Sequence, residues 1–306
     1  MGMQVRLVLY AEAEAEAHGV ATAAFAEIAR LDAMLSNYRR DSEISALAGD
    51  EAGPRPVSPE VLEVLARAQR LAELSGGAFD VTAGPLTELW RGAIERRELP
   101  DSAAIASARA RTGYRRLQLD VEAGLVIVAP GTELDVGGIA KGFVLDRALA
   151  VIAGEGIGAA LVEAGGDLVV GAAPPGSEGW SIDVPHLGCR IELSHAALAT
   201  SGDEFQFVEI DGVRYSHTVD PRTELGLRDS RTVSVVASDG LTADGLATTL
   251  TILTEKEGET ILSAFPGARL LAAPPGAILA MSQEDARSRA DLTCFAGSVA
   301  VARKPG

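Results

Sequence analysis

The segment LTADGLATTLTILTE, residues 241–255, combines a helix-like apolar pattern with a carboxylate and a hydroxyl. Asp244 and Thr248 are four residues apart, so an α-helix places them on one face. Their oxygen atoms could be two ligands of Mg²⁺, which prefers hard oxygen donors. The same residues also fit a capped core helix, with Thr242 as the cap and Asp244 in a first turn where the helix dipole favours a carboxylate. The pair alone leaves both interpretations open.

A glycine-rich segment, ELDVGGIAKGFVLDRA, occupies residues 133–148 and runs into a predicted helix. Gly137 and Gly138 would let a ligand approach the backbone, and a helix N-terminus favours phosphate. Lys141 adds positive charge in an acidic chain. The segment matches neither GxGxxG nor GxxxxGK[ST], so the Rossmann and P-loop interpretations are not supported. A tight structural turn with a solvated lysine is the alternative.

Two other polar segments lie in apolar surroundings. EAGGDLVVGA, residues 163–172, places Gly165–Gly166 between two strand-like runs. These glycines fit a simple turn, or a site where backbone N–H groups face an adenine or a phosphate. YSHTVDPRTEL, residues 215–225, places His217 beside a predicted turn, where it could transfer a proton. A structural histidine bonded within the DPRT turn is the alternative. Ser201 lacks a G-x-S-x-G elbow, so a serine hydrolase is poorly supported.

The composition fits a globular protein and argues against several functions. The 306 residues carry a net charge of −16, which disfavours nucleic-acid binding because phosphate backbones select basic surfaces. Cys189 and Cys294 form no metal-binding pattern, so a structural zinc site is not expected. The sequence contains no run of about 18 apolar residues, so a transmembrane helix is not predicted. An acidic protein that binds a phosphorylated ligand needs local compensation from a metal ion, backbone amides or placed cations.

Periodicity and turn signals predict a mixed α+β protein, a single domain over 1–306 or two intimately joined lobes. Ala21, Phe25, Ile28, Leu31 and Leu35 are expected on the inner side of a long helix. The glycines and proline of GAFDVTAGPLTELW, residues 77–90, predict a loop. Predicted helices span 12–36, 58 to about 75, 101–112, the segment after Lys141 and 241–255. A further helix is expected to begin near residue 43. Predicted strands span 4–10, 117–120, 124–129, 158–172 with a glycine turn, 180–185, 190–193, 205–216 with a turn at 211–212, and 231–238. Short apolar runs follow at 268–282, and a last strand is expected from 292.

Seven segments, taken in order, resemble the ApbE family of FAD:protein FMN transferases. They span nearly the whole chain, and each is modest alone. The segments are LSNYRRDSEIS (35–45), SGGAFDVTAGPLTELW (75–90), LDVGGIAKGFVLD (134–146), EAGGDLVVG (163–171), ATSGD (199–203), YSHTVDPRT (215–223) and ADGLATTLTIL (243–253).

This resemblance implies an enzyme with an α+β, ApbE-type (T-fold-like) architecture of mixed sheets with packed helices. Such enzymes bind FAD and Mg²⁺, cleave the FAD pyrophosphate and release AMP. They attach FMN by a phosphoester bond to a threonine or serine of an acceptor protein. Some members instead hydrolyse FAD to FMN and AMP. A flavin-binding protein without turnover is a third possibility, although it would need neither a base nor a metal site.

The resemblance also implies roles for individual residues. Asp244 and Thr248 match the family's Mg²⁺ ligands, and Gly138 matches a position that gives a further oxygen, here its backbone carbonyl. His217 matches the histidine proposed to deprotonate the acceptor hydroxyl. The positions that match FAD contacts are Tyr38, Ala78, Phe79, Asp80, Asp135, Lys141 and Thr218.

Three departures from the family's pattern bear on this assignment. Many members have alanine at the position of Gly138, and the family's PRTG is PRTE here, with Glu224 last. The chain begins MGM, which resembles a family stretch that follows an exported leader, so Met1 is expected at the flavin pocket. We expect a periplasmic or membrane-associated protein if a leader was removed, and otherwise a cytoplasmic one.

Overall fold

A computed structural model describes residues 3–49, 53–203, 207–229 and 231–271. Its helices are α1 (Glu14–Leu35), α2 (Glu43–Ala46), α3 (Pro59–Leu74), α4 (Gly84–Arg96), α5 (Ser102–Arg109), α6 (Ala140–Gly154), α7 (Gly240–Ile252) and α8 (Glu255–Leu262). Its strands are β1 (Val5–Leu9), β2 (Arg55–Pro56), β3 (Leu117–Asp120), β4 (Leu125–Val128), β5 (Ala160–Ala164), β6 (Asp167–Val170), β7 (Trp180–Val184), β8 (Cys189–Leu193), β9 (Ala196–Gly202), β10 (Phe207–Ile210), β11 (Val213–Ser216), β12 (Val219–Asp220), β13 (Leu225–Gly226), β14 (Thr232–Ala237) and β15 (Arg269–Leu270).

The largest sheet has six strands in the order β1-β5-β6-β9-β14-β15, and every neighbouring pair is antiparallel. Within the described residues, the other strand pairings are a three-stranded sheet, β2-β4-β3, and the hairpins β7–β8, β10–β11 and β12–β13. The turn between β5 and β6 contains Gly165 and Gly166 at φ 57° and 90°. This left-handed backbone favours glycine, so the turn fixes where β6 begins.

Both faces of the six-stranded sheet are covered, which explains the nearly continuous apolar runs in β5 and β6. Helices α6 and α7 pack on one face, and α1 and α3 pack against these two helices in the main core. The other face packs against the β7–β8 hairpin, with Trp180 and Ile191 among the buried residues. A further apolar cluster joins α4 and α5 to the β10–β11 hairpin around Trp90 and Tyr215. The fold is therefore α+β, as expected; the single-domain organisation stays a prediction.

The helix and strand predictions agree with most of these elements, and two details were wrong. Residues 84–90, expected as part of a loop, belong to α4, because Pro85 lies at the start of the helix, where its missing N–H is tolerated. Phe25 is 44% exposed, since the buried face of α1 runs through Val20, Ala24, Ile28, Leu31 and Leu35. The expectations for Met1, Cys294, residues 272–282 and the strand from 292 lie outside the described residues.

None of the helices in the described ranges combines the length and the apolar character that a membrane crossing requires.

Candidate active site

Helices α6 and α7 begin side by side, and each supplies an aspartate to the N-terminus of the other. Asp146 of α6 accepts the N–H groups of Gly240 (2.7 Å) and Leu241 (2.9 Å) at the start of α7. Asp244 of α7 accepts the Gly142 N–H at 2.9 Å near the start of α6. The free N–H groups and the dipole of each helix thus have a carboxylate partner.

This close approach depends on glycine at two positions. A Cβ built on Gly142 would overlap the carbonyl oxygen of Gly240, and one on Gly240 would lie 2.5 Å from the Gly142 oxygen. Both backbones therefore meet without side chains between them. The contact brings Asp244 to the glycine-rich segment at the start of α6.

The expected capping of α7 was wrong in two respects. Asp239 is the N-cap and accepts the N–H of Thr242 at 2.7 Å, while the Thr242 hydroxyl accepts a hydrogen bond from Arg67. Asp244 lies in the second turn, because the helix begins at Gly240. Its carboxylate is therefore free of any capping role in its own helix and serves α6 instead.

Gly138 contacts two other predicted site residues. A Cβ built on it would lie 2.9 Å from Thr248 Cγ2, 3.4 Å from Thr248 Oγ1 and 3.3 Å from Phe79 Cε2. The preceding turn is held by Asp135, whose Oδ1 accepts the Gly137 N–H at 2.9 Å. The structure thus brings the glycine turn, the aromatic ring and the hydroxyl of α7 into one cluster.

The segment before α4 lies against the same turn. Ala78 and Phe79 are buried, and the Asp135 N–H donates to the carbonyl of Val81 at 2.7 Å. Asp80 Oδ1 accepts from the N–H (2.8 Å) and the hydroxyl (2.6 Å) of Thr82. Burial raises the pKa of the Asp80 carboxyl, against the effect of these hydrogen bonds. Asp80 therefore shapes the short turn that leads into α4.

Two carboxylates flank Lys141. Its Nζ lies 2.8 Å from Asp167 Oδ2 in an ion pair, without the regular angle of a hydrogen bond. Burial works against the charge of Lys141, but Asp167 and Asp244 together raise its pKa above the usual value. Burial likewise raises the pKa of Asp244, although the Lys141 charge and the amides of Gly142 and Lys141 oppose this effect. The group has one more carboxylate than cations, which suits a site for added positive charge.

Asp167 was not among the site residues predicted from the sequence. It is 1% exposed, and its Oδ1 accepts the Thr200 N–H at 2.9 Å. Burial, and then the charge of Asp244, raise its pKa to about 7, with Lys141 acting against them. The signal was available: DLVV opens a strand that is apolar on both faces, and a carboxylate there requires a buried partner.

Tyr38 and His217 lie outside this cluster, and α4 connects to both regions. Tyr38 is 75% exposed, with the Arg91 guanidinium of α4 4.8 Å from its ring centre. Trp90, the preceding residue of α4, donates to the carbonyl of Ser216 at 2.9 Å, directly before His217. His217 has an exposed side chain on the loop between β11 and β12.

The loop that follows His217 is fixed by backbone contacts and by one aspartate. Thr218 donates its N–H to Ser216 Oγ at 3.1 Å and accepts the Leu227 N–H at 2.9 Å. Asp220 accepts the N–H of Arg222 at 2.9 Å and pairs with its guanidinium. Glu224 adopts φ 67°, a left-handed backbone that favours glycine, and pairs with Arg109 at 3.0 Å. The turn thus keeps a glycine-like backbone with a glutamate in place.

Among the described residues, no group of three or more His, Cys, Asp or Glu side chains could hold a metal ion. This finding does not conflict with the expected ligand set, which contains one carboxylate, one hydroxyl and one backbone carbonyl.

Solved structures place this fold in a known class. It is similar to the flavin transferase ApbE from Vibrio cholerae, with a TM-score of 0.77 and 29% identity, over 88% of this chain and 89% of that chain. The chain itself belongs to the ApbE family, whose model matches residues 1–271.

Two curated relatives carry the name FAD:protein FMN transferase. A Vibrio cholerae protein is 36% identical over 242 residues, which cover 75% of this chain and 72% of the relative. A Treponema pallidum protein is 32% identical over 294 residues, which cover 87% of this chain and 80% of the relative. The similarity therefore extends across most of the length of both partners.

Proposed function

We propose that this protein is an FAD:protein FMN transferase that uses Mg²⁺ and attaches FMN to a threonine or serine of an acceptor protein. The names of its relatives support the activity. The observation that carries the site assignment is the packing of the Gly138 turn against Thr248, one helical turn from the buried Asp244. This contact joins residues that are more than a hundred positions apart in the sequence.

The residues present fit a bound Mg²⁺. Asp244, Thr248 and the Gly138 carbonyl offer hard oxygen donors, and few protein ligands are needed because phosphates and water fill the remaining positions. The excess of carboxylate over lysine in the cluster favours a divalent cation. When bound, Mg²⁺ supplies positive charge that stabilises the negative charge developing on the phosphoryl oxygens.

The other residues have distinct parts in holding FAD. Lys141 presents a cation to the pyrophosphate, and the glycine turn presents backbone amides. Tyr38 offers an exposed ring face for stacking, with Arg91 on the ring. The remaining contacts that we assign to FAD are Ala78, Phe79, Asp80, Asp135 and Thr218.

The transfer step needs a base for the acceptor hydroxyl. His217 takes the proton while the hydroxyl oxygen forms a bond to the phosphorus of the FMN moiety. The bond between that phosphorus and the oxygen bridging to the AMP moiety breaks, and AMP leaves with the bonding electrons. The exposed position of His217 is compatible with access by a protein substrate.

The test is incubation of the protein with FAD, Mg²⁺ and an acceptor that carries a candidate threonine motif. Mass spectrometry of the acceptor should show attached FMN, and chromatography should show an equal amount of AMP. AMP release without attachment, across several acceptors, would instead identify an FAD pyrophosphatase. Retained FAD without AMP would identify a flavin-binding protein and contradict the proposal.

A further inference from the structure

Asp167 is a buried carboxylate whose charge the sheet itself does not require. It is the first residue of β6, followed by the buried Leu168, Val169 and Val170. A carboxylate buried in such surroundings loses its hydration, and a partner charge is needed to offset that loss. Its pairing with Ala164 across the β5–β6 turn is a backbone register and needs no charge. The charge of Asp167 therefore points to a task beyond the sheet.

The partner of that charge is Lys141. The Lys141 side chain is 18% exposed, whereas that of Asp167 is 2% exposed. A ligand that approaches from solvent can thus reach the ammonium but not the carboxylate behind it. Lys141 is also held at its other end, because its backbone lies in the first turn of α6. Asp167 is positioned to fix the one end of this long side chain that would otherwise move.

A second carboxylate competes for the same ammonium. Asp244 acts on Lys141 electrostatically, but the ion pair within 4.0 Å is formed with Asp167. Without Asp167, the nearest compensating charge for Lys141 is Asp244. The Asp167 carboxyl is itself close to Asp244, so an ammonium without Asp167 would pair with Asp244 and occupy a proposed metal ligand.

We propose that Asp167 is a positioning residue that holds the Lys141 ammonium toward the FAD pyrophosphate and away from Asp244. This inference rests on the proposed function, because it assumes that Lys141 contacts FAD. Asp167 itself touches neither FAD nor the acceptor in this scheme. It acts through Lys141 alone.

The proposal and a simple charge effect predict opposite changes in FAD affinity. Asp167→Asn removes a negative charge, and on charge alone it should strengthen the binding of the anionic FAD. The proposal requires the opposite, because the lysine loses its anchor. Asn keeps an oxygen that can accept the Thr200 N–H, so the strand contact is retained.

The experiment measures FAD affinity by fluorescence titration without Mg²⁺ and without an acceptor, so that no turnover occurs. Asp167→Asn should weaken FAD binding about tenfold. This is the loss expected for one charge-assisted hydrogen bond, here the one between the Lys141 ammonium and the FAD pyrophosphate. In steady-state assays the KM for FAD should rise while kcat changes by less than about threefold. Asp183→Asn, which breaks the exposed pair with Arg190 on the β7–β8 hairpin, is the matched control and should bind FAD normally.

Lys141→Gln provides the decisive background. It should weaken FAD binding by itself, and adding Asp167→Asn to it should cause no further loss. Equal losses from Asp167→Asn in both backgrounds would overturn the proposal, as would tighter or unchanged binding in the single variant. If Lys141→Gln leaves FAD affinity unchanged, the inference also fails, and the fault lies in the assumed Lys141–FAD contact. Transferase activity of the unchanged protein tests the proposed function separately.

Asp167→Glu covers the case in which Asp167→Asn folds poorly. It keeps the charge but moves the carboxylate by one methylene. The proposal expects weaker FAD binding that depends on Lys141, whereas a charge effect expects none. Thermal melting of each variant accompanies the titrations, and unchanged FAD binding by a folded Asp167→Glu protein would overturn the proposal.

Discussion

The Gly138 backbone packs against Thr248 so closely that a Cβ would lie 2.9 Å from Thr248 Cγ2. Position 138 is therefore coupled to the size of its neighbour on α7. Gly138 does not have a positive φ, so an alanine would meet no backbone strain there; Thr248 Cγ2 is its nearest steric obstacle, and Phe79 Cε2 follows at 3.3 Å. Two residues of the proposed metal site thus fit each other in shape as well as in chemistry.

Gly138→Ala should lower the free energy of unfolding by about 1–2 kcal/mol through overpacking. It should also weaken the dependence of turnover on Mg²⁺. Thr248→Ser removes Cγ2 but keeps the hydroxyl, so it should recover about 1 kcal/mol in the alanine background. Denaturant unfolding of the single and double variants measures this coupling. Gly154→Ala, whose Cβ would have open space, is the control, and additive effects would contradict the steric explanation.

Asp244→Asn should abolish Mg²⁺-dependent AMP release while the protein stays folded. The asparagine oxygen can still accept the Gly142 N–H, so the cap on α6 remains and the charge is lost. AMP release is followed chromatographically across a Mg²⁺ titration. Asp239→Asn, at the N-cap of the same helix, should be nearly normal because asparagine caps as well as aspartate does. Full activity of Asp244→Asn would remove Asp244 from the metal site.

His217→Ala should slow FMN transfer by a factor of about 10²–10⁴, the range for loss of a general base. FAD affinity should change little, since the role assigned to His217 concerns the acceptor hydroxyl. Stopped-time mass spectrometry of the acceptor gives the rate, and fluorescence titration gives the affinity. His18→Ala, on the exposed side of α1, is the control. An unchanged transfer rate would show that another group accepts the proton.

Asp146 should make stability depend on pH. Burial raises its pKa from 3.8 to about 6, although the N–H groups of Gly240 and Leu241 oppose the shift. The folded protein therefore binds more protons than the unfolded chain between these values. The contribution is fully present below about pH 4 and is lost as the pH rises through 6, with a limit of about 3 kcal/mol.

Unfolding free energies of the unchanged protein and of Asp146→Asn, measured from pH 4 to pH 7, test this dependence. The unchanged protein should lose stability relative to the variant as the pH rises. Parallel curves for the two proteins would show that Asp146 has the same pKa folded and unfolded.

Local patterns accounted for much of the fold. The Ser58–Pro59 start and the Gly76–Gly77 stop predicted α3, and the Asp211–Gly212 pair predicted the β10–β11 hairpin, because capping and turn residues act on their own neighbours. The same kinds of residue gave a wrong prediction at α4, where glycines and a proline were interpreted as a loop. Pro85 marks a helix start as readily as a loop, and only the surrounding contacts decide between them.

The site was harder to predict, because its residues meet through tertiary contacts. The resemblance supplied Asp244, Thr248 and Gly138 as candidates, and the structure places them in contact with the α6 segment. Asp167 escaped notice since its partner, Lys141, is on another element and 26 residues earlier. A lone aspartate after a glycine turn looks like an ordinary hairpin until its burial is known.

The bond between Gly142 and Asp244 joins residues 102 positions apart. Closing so long a loop carries an entropic penalty before any contact is gained, which makes such pairings slow to form. The cluster at the start of α6 and α7 should therefore form late in folding, after the central strands between these helices have been synthesised and paired. A nascent or truncated chain that ends before α7 contains the glycine turn and Lys141 but lacks Asp244 and Thr248. The order of the elements along the sequence thus keeps incomplete chains from assembling the proposed metal site.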